Sequence, residues 1–205
     1  RNSLSIIESF QPNHNMQIGD IYDFYSFSGF PKKSGFIRPE EEVIQARKCG
    51  EEVWYLINKA CPKAKKYQIK GNHCDRPIKL AKEKCPELLQ FIEPSIRHLY
   101  EFENVKTIHD SSQELKIEDV WFQHFFRSKL GDHCKYNLHN SVGGHTHRGG
   151  TFFFPMDNGK TIWELNSGHM ANPNAEPLQY SPQKYVHWTR GLGLGDSPGP
   201  RFFPL

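Results

Sequence analysis

The sequence predicts an α/β fold in which β-sheets are flanked by helices. Three features predict it. Short apolar strands repeatedly run into polar loops and then into helices. Residues 40–60 have the length and the apolar stripe of a packed helix. Thr151–Met156 and Thr161–Asn166 are set to pair across Asp157-Asn158-Gly159, a strong hairpin signal. A chain of 205 residues suits one domain with a sizeable core, residues 1–193, followed by a Gly/Pro-rich tail over 194–205.

In chain order, residues 3–10 read as a helix with Leu4, Ile7 and Phe10 on one face, stopped by Gln11-Pro12-Asn13. Asn15–Ile18 is a short strand ending at Gly19-Asp20, and His14 reads as a loop residue. Residues 24–39 are aromatic and basic and read as a loop over a site. The 40–60 helix carries Glu40, Glu41 and Glu42 in its first turn, where they suit the helix dipole, and buries Ala46, Val53, Trp54 and Ile57. Lys66–Lys70 is a strand running into Gly71-Asn72-His73. One helix is expected from Pro77 to Phe91, with proline in its first turn, where its missing N–H costs nothing. Val105–Ile108 and Glu114–Ile117 flank a turn, Val120–Gln123 is a strand ending at His124, Lys135–His139 belongs to a helix, and Ser141-Val142 is a strand. The tail from Gly191 reads as irregular.

Charge and cysteine usage narrow the function classes. Twenty-six Lys and Arg against 23 Asp and Glu give +3, which predicts no polyanion-binding tail. No apolar run approaches the ~18 residues of a membrane-spanning helix, and no membrane partner is expected. The five cysteines are odd in number and include no Cys-X-X-Cys, so the expected setting is a reducing cytoplasm.

The chemistry concentrates in Gly143–Gly150, read Gly-Gly-His-Thr-His-Arg-Gly-Gly. On an extended backbone His145 and His147 face the same way; on a tight glycine-lined loop they can straddle two ions. Strand ends elsewhere deliver Asp20, Asn72, His73 and His124. Imidazole, carboxylate and amide donors suit manganese, iron or zinc, with magnesium also open. Two such ions ~3.5–4 Å apart can clamp the attacking and leaving oxygens of a phosphoryl displacement.

Gly19-Asp20-Ile21-Tyr22-Asp23, Gly71-Asn72-His73, His124 and Gly144-His145-Thr146-His147-Arg148 resemble, in order and spacing, the blocks of the calcineurin-like metallophosphoesterase family, its phage and bacterial branch most closely. Asn166-Ser167-Gly168 and Trp188-Thr189-Arg190-Gly191 resemble that branch's closing strands more weakly. The resemblance implies a metallophosphoesterase-like layered fold and hydrolysis of phosphomonoesters or phosphodiesters by a metal-bound hydroxide. It implies that Asp20 bridges two ions, that Asn72, His124 and His145 complete one site, and that His147 belongs to the other. His73 resembles the histidine that protonates the leaving oxygen or steadies the phosphate. Arg76 and Arg148 are expected to contact phosphate, and Asp23 to orient a ligand. Manganese is the expected cofactor. The expected partner is a phosphate ester, with nucleic acid or a nucleotide open through Lys32, Lys33, Arg38, Tyr25 and Phe27, in the cytoplasm of a bacterial or phage-infected cell.

Two departures stand out. Cys74 occupies a place where the family carries an acidic residue, with Asp75 as a displaced counterpart. The family's opening Asp-X-His, on its first strand, has no match before Gly19. The chain therefore reads as an incomplete version of a parent, with one four-ligand ion site and one site holding only Asp20 and His147. Weak turnover is the expectation, and a non-catalytic metal-binding or scaffolding member is the competing reading.

Overall fold

A computed structural model of the chain describes residues 3–32, 34–124, 127–172, 187–196 and 199–205. The fold is mixed α/β, and the chain separates into two compact units, Leu4–His109 and Asp110–Leu205.

In the first unit, β1 (His14–Ile18), β2 (Lys65–Ile69) and β3 (Val105–Ile108) form a parallel sheet in the order β1-β2-β3. Helices α1 (Ser3–Phe10), α2 (Pro39–Ala60), α3 (Arg76–Lys84) and α4 (Leu89–His98) accompany it. Its core gathers Tyr22, Phe24, Ala46, Cys74, Ile78, Ile96, Leu99 and Tyr100. The Tyr22 ring sits 5.0 Å from Tyr100 and 5.6 Å from Phe24, and its hydroxyl donates to Leu99 O at 3.1 Å. Gln68, fully buried on β2, accepts from Trp54 Nε1 at 2.8 Å, so α2 is tied to the sheet through a satisfied polar pair.

In the second unit, β4 (Leu115–Ile117), β5 (Val120–Gln123), β6 (Asn140–Gly143), β7 (Gly150–Pro155) and β8 (Thr161–Asn166) form one mixed sheet, ordered β4-β5-β6-β8-β7. Strands β5, β6 and β8 run parallel, while β4 and β7 pair antiparallel at the edges. The short helix α5 (Asp132–Asn137) begins where Glu164 of β8 accepts from the backbone N–H groups of His133 and Cys134, at 2.9 and 3.1 Å. Strands β9 (Gly191–Asp196) and β10 (Gly199–Pro204) form a separate antiparallel pair.

The hairpin over 150–166 and the 40–60 helix form as the sequence predicts, and several other elements differ. His14 is the first residue of β1, paired with Lys65, rather than a loop histidine. The buried residue of α1 is Ile6, while Phe10, in the last turn, is 40% exposed. The expected helix over 77–91 is broken. Cys85 takes φ −153°, ψ 64° before Pro86, and a residue preceding proline is sterically pushed out of the helical region. Helix α3 therefore ends at Lys84 and α4 starts at Leu89. Val105–Ile108 and Leu115–Ile117 flank a turn at 111–112 as expected, with the second strand starting at Leu115 rather than Glu114 and the two entering different sheets. Helix α5 stops at Asn137 because Leu138 is left-handed, at φ 57°. The described residues of the tail from Gly191 are strands rather than irregular: the alternating glycines Gly191, Gly193 and Gly195 of β9 pair with Pro204, Phe202 and Pro200 of β10.

Residues 24–39 also depart from the expected open loop. Phe24 and Tyr25 are buried, and residues 25–27 form a 3₁₀ turn whose Tyr25 and Ser26 N–H groups both donate to the Glu42 carboxylate at 2.8 Å. Phe24 and Tyr25 are drawn into the interior by the apolar area that each removes from water, while Phe30 stays exposed.

Candidate metal centre

In the first unit the site is built where two parallel strands end, the edge at which open α/β sheets place ligands. Strand β1 runs into Gly19 and Asp20, both left-handed (φ 81° and 53°). For aspartate this backbone costs about 1–2 kcal/mol, and it turns the carboxylate back toward the end of β2. There Gly71 lies so close that a Cβ would overlap Asp20 Oδ1 and its backbone nitrogen. The His73 N–H donates to Asp20 Oδ1 at 2.9 Å. Asn72 lies between these two contacts, at the start of the 3₁₀ turn His73–Asp75.

His73 is held from its other side. Its Nδ1 lies 2.6 Å from Asp23 Oδ1, while Arg76 Nη1 donates to Asp23 Oδ2 and to Asp23 O, each at 2.8 Å. The carboxylate can only accept, so Nδ1 carries the proton and Nε2 is the working nitrogen. Asp23 thus orients His73. The Nη1 of Arg76, expected to meet phosphate, is committed to that carboxylate.

Cys74 is fully buried in the core, and burial, with the Asp20 carboxylate adding to it, pushes its thiol up to about 11. Asp75 pairs with the Lys70 ammonium at 2.6 Å, and the Lys70 side chain is itself buried. The acidic residue shifted by one position therefore neutralises a lysine at the end of β2 instead of facing the site.

In the second unit His124 follows β5 and His145 follows β6, neighbouring parallel strands. His124 is buried. Its Nε2 lies 3.3 Å from His145 Nδ1, with the rings crossed at 88°. Two nitrogens each ~2.1 Å from one tetrahedral ion stand roughly 3–3.5 Å apart, so this pair fits a common divalent ion. His147 diverges, packing edge-on against Trp188 at 4.4 Å and near His169 at 5.3 Å. The left-handed residues of the stretch are the histidines themselves, at φ 62° and 61°, so the two rings do not share one extended face.

No family model, curated protein or solved structure matches this chain.

What fixes the histidine bend is Asn166 at the end of β8, which the sequence shows only as part of Asn-Ser-Gly. Its amide donates to Gly144 O at 3.1 Å and to Thr146 Oγ1 at 2.9 Å. Thr189 N donates to His147 O at 2.8 Å, so the 188–191 segment clamps the same bend. Gly149 makes room for a neighbouring side chain: a Cβ there, or at Gly191, would run into the Phe202 ring of β10. His169, whose imidazole is held below its ordinary pKa chiefly by burial, escaped the sequence reading because it belongs to no block.

Of the expected substrate contacts, Arg148 is exposed beside His147. Tyr25 is edge-packed on Phe36 at 4.9 Å and donates to Pro31 O at 3.0 Å, and Phe27 packs on Phe24. Neither is a free stacking platform. Arg38 pairs with Glu40 and Glu41, and Lys32 reaches Ser28 O. Lys33 lies outside the described residues. Among the described residues no helix is long and apolar enough to cross a membrane.

Proposed function

We propose that this chain is a metal-dependent phosphoesterase of the calcineurin-like type, acting on a phosphomonoester or phosphodiester. The observation that carries this reading is the placement of the four blocks. Each begins at the carboxyl end of a parallel strand: Asp20 after β1, Asn72 and His73 after β2, His124 after β5, and His145 with His147 after β6. The left-handed backbone at Asp20, His145 and His147 supports it, because non-glycine residues held there concentrate at functional sites. The layered sheet arrangement of the family belongs to the same proposal.

On this reading Asp20, Asn72, His124, His145 and His147 hold divalent ions, with manganese first in expectation. Such ions supply charge neutralisation at the phosphate and acidify water. The remaining work falls to the chain. Asp23 accepts a hydrogen bond from His73 Nδ1 and fixes the ring, and Arg76 holds Asp23. In the imidazolium form, with Nε2 protonated as well, His73 would deliver that Nε2 proton to the leaving oxygen or donate a hydrogen bond to the phosphate. Arg148 offers an exposed guanidinium to a phosphate oxygen.

The test is hydrolysis of a chromogenic phosphodiester by the full chain with manganese, beside the His73→Ala and Asp20→Asn variants. Manganese-dependent turnover that falls in both variants supports the proposal. No manganese-dependent turnover, or equal rates in wild type and His73→Ala, overturns it.

A further inference from the structure

Away from the histidine bend, the second unit brings together three potential ligands that none of the four blocks contains. Glu114 immediately precedes β4, His133 lies in the first turn of α5, and His139 immediately precedes β6. One ligand atom from each falls within 4.8 Å of the other two. His133 Nε2 is 2.9 Å from Glu114 Oε1, and His139 Nε2 is 3.9 Å from the same oxygen.

The surroundings hold these groups in place. Glu164 anchors the backbone of His133, the Asn137 amide donates to Glu114 Oε1 at 3.3 Å, and Trp121 stacks on the His139 ring at 4.8 Å and 21°. His139 Nδ1 lies 3.2 Å from Asn140 O. A carbonyl only accepts, so Nδ1 carries the proton and Nε2 presents a lone pair toward a carboxylate oxygen. A simple hydrogen-bonded pair accounts for Glu114 and His133, but it leaves His139 with its lone pair turned to another acceptor. A cation between them resolves this. Metal-bound histidines commonly donate their second ring N–H to a carbonyl in this way.

We propose that Glu114, His133 and His139 form a zinc site. Two imidazoles and one carboxylate are donors that zinc favours, and ligands ~2.0–2.2 Å from a tetrahedral ion are spaced roughly 3–3.5 Å apart, between the two distances measured to Glu114. His133 is nearly enclosed, at 5% side-chain exposure, while Glu114 and His139 are 26% and 20% exposed. Three protein ligands with this access leave a fourth position for water.

The test is zinc titration by calorimetry of the full chain in an Asp20→Asn/His145→Ala background, which separates this site from the phosphoesterase proposal. One zinc per chain is expected, with affinity reduced at least about a hundredfold by Glu114→Gln and by His139→Gln. Both substitutions conserve volume, and circular dichroism without zinc checks their folding. Cobalt substitution gives a second readout: visible absorption bands of a low-coordinate ion, lost in both variants. Should Glu114→Gln fail to fold, His139→Gln alone decides. No zinc uptake in the background chain, or uptake unchanged by these substitutions, overturns the site.

Discussion

His73 Nδ1 and Asp23 Oδ1 stand 2.6 Å apart, and the second Asp23 oxygen is taken by Arg76. This relay fixes which imidazole nitrogen is free. If the chain hydrolyses phosphodiesters, His73→Ala lowers kcat by roughly 10²–10⁴-fold, the range for a lost general acid, while manganese affinity stays unchanged. Asp23→Asn lowers kcat by a smaller factor, on the order of tenfold to a hundredfold, and moves the pH–rate profile, because the ring loses its preferred tautomer. Steady-state kinetics across pH, beside metal titration, separates the two effects.

Gly71 predicts a packing failure with a chemical consequence. Gly71→Ala puts a methyl group against the Asp20 carboxylate and its backbone nitrogen, neither of which is the end of a long flexible chain. The expected cost is about 1–3 kcal/mol of stability, as for other overpacked sites, together with weaker metal binding. Denaturant unfolding and metal titration on the same protein measure both. Unchanged values in both would remove Gly71 from the argument.

Cys74 sets an alkaline limit. Its thiol ionises near 11 in the folded chain and near 9.0 as a free thiol. Below pH 9 both states are protonated and the contribution is fully present. Between 9 and 11 only the unfolded chain loses the proton, so stability falls by roughly 1.4 kcal/mol per pH unit. Cys74→Ala, although less stable overall, shows a shallower decline over that window in denaturant titrations.

Asn166 predicts a loosened histidine bend. Asn166→Ala removes one of two donors from Gly144 O, which Thr146 N also reaches, and one from Thr146 Oγ1, a loss of about 0.5–1.5 kcal/mol per bond. Manganese affinity should fall by roughly tenfold to a hundredfold, as when a ligand's supporting hydrogen bonds are removed. Equal affinity in the variant and the wild type would show that the bend holds itself.

The sequence was most legible where one physical rule acted alone. The 3.6-residue stripe of α2, the Asp-Asn-Gly turn between β7 and β8, and the strands ending at Asp20, Asn72 and His124 all follow from local pattern. It was least legible where tertiary packing overrode composition. Tyr25 and Phe27 lie in a stretch that looks open and basic, yet Glu42 folds it inward from seventeen residues away. Gly-rich β9 looks irregular because its packing partner, Phe202, comes from the next strand. The Glu114–His133–His139 trio is invisible in sequence because its members share no motif and meet only through the ordering of β4, β5 and β6.

The Phe202 ring fills the space that side chains at Gly149 and Gly191 would need. The last four residues of the chain are therefore a wedge under the histidine-bearing bend. Shortening the protein by those residues, or replacing Phe202 with alanine, reaches His147 without touching it.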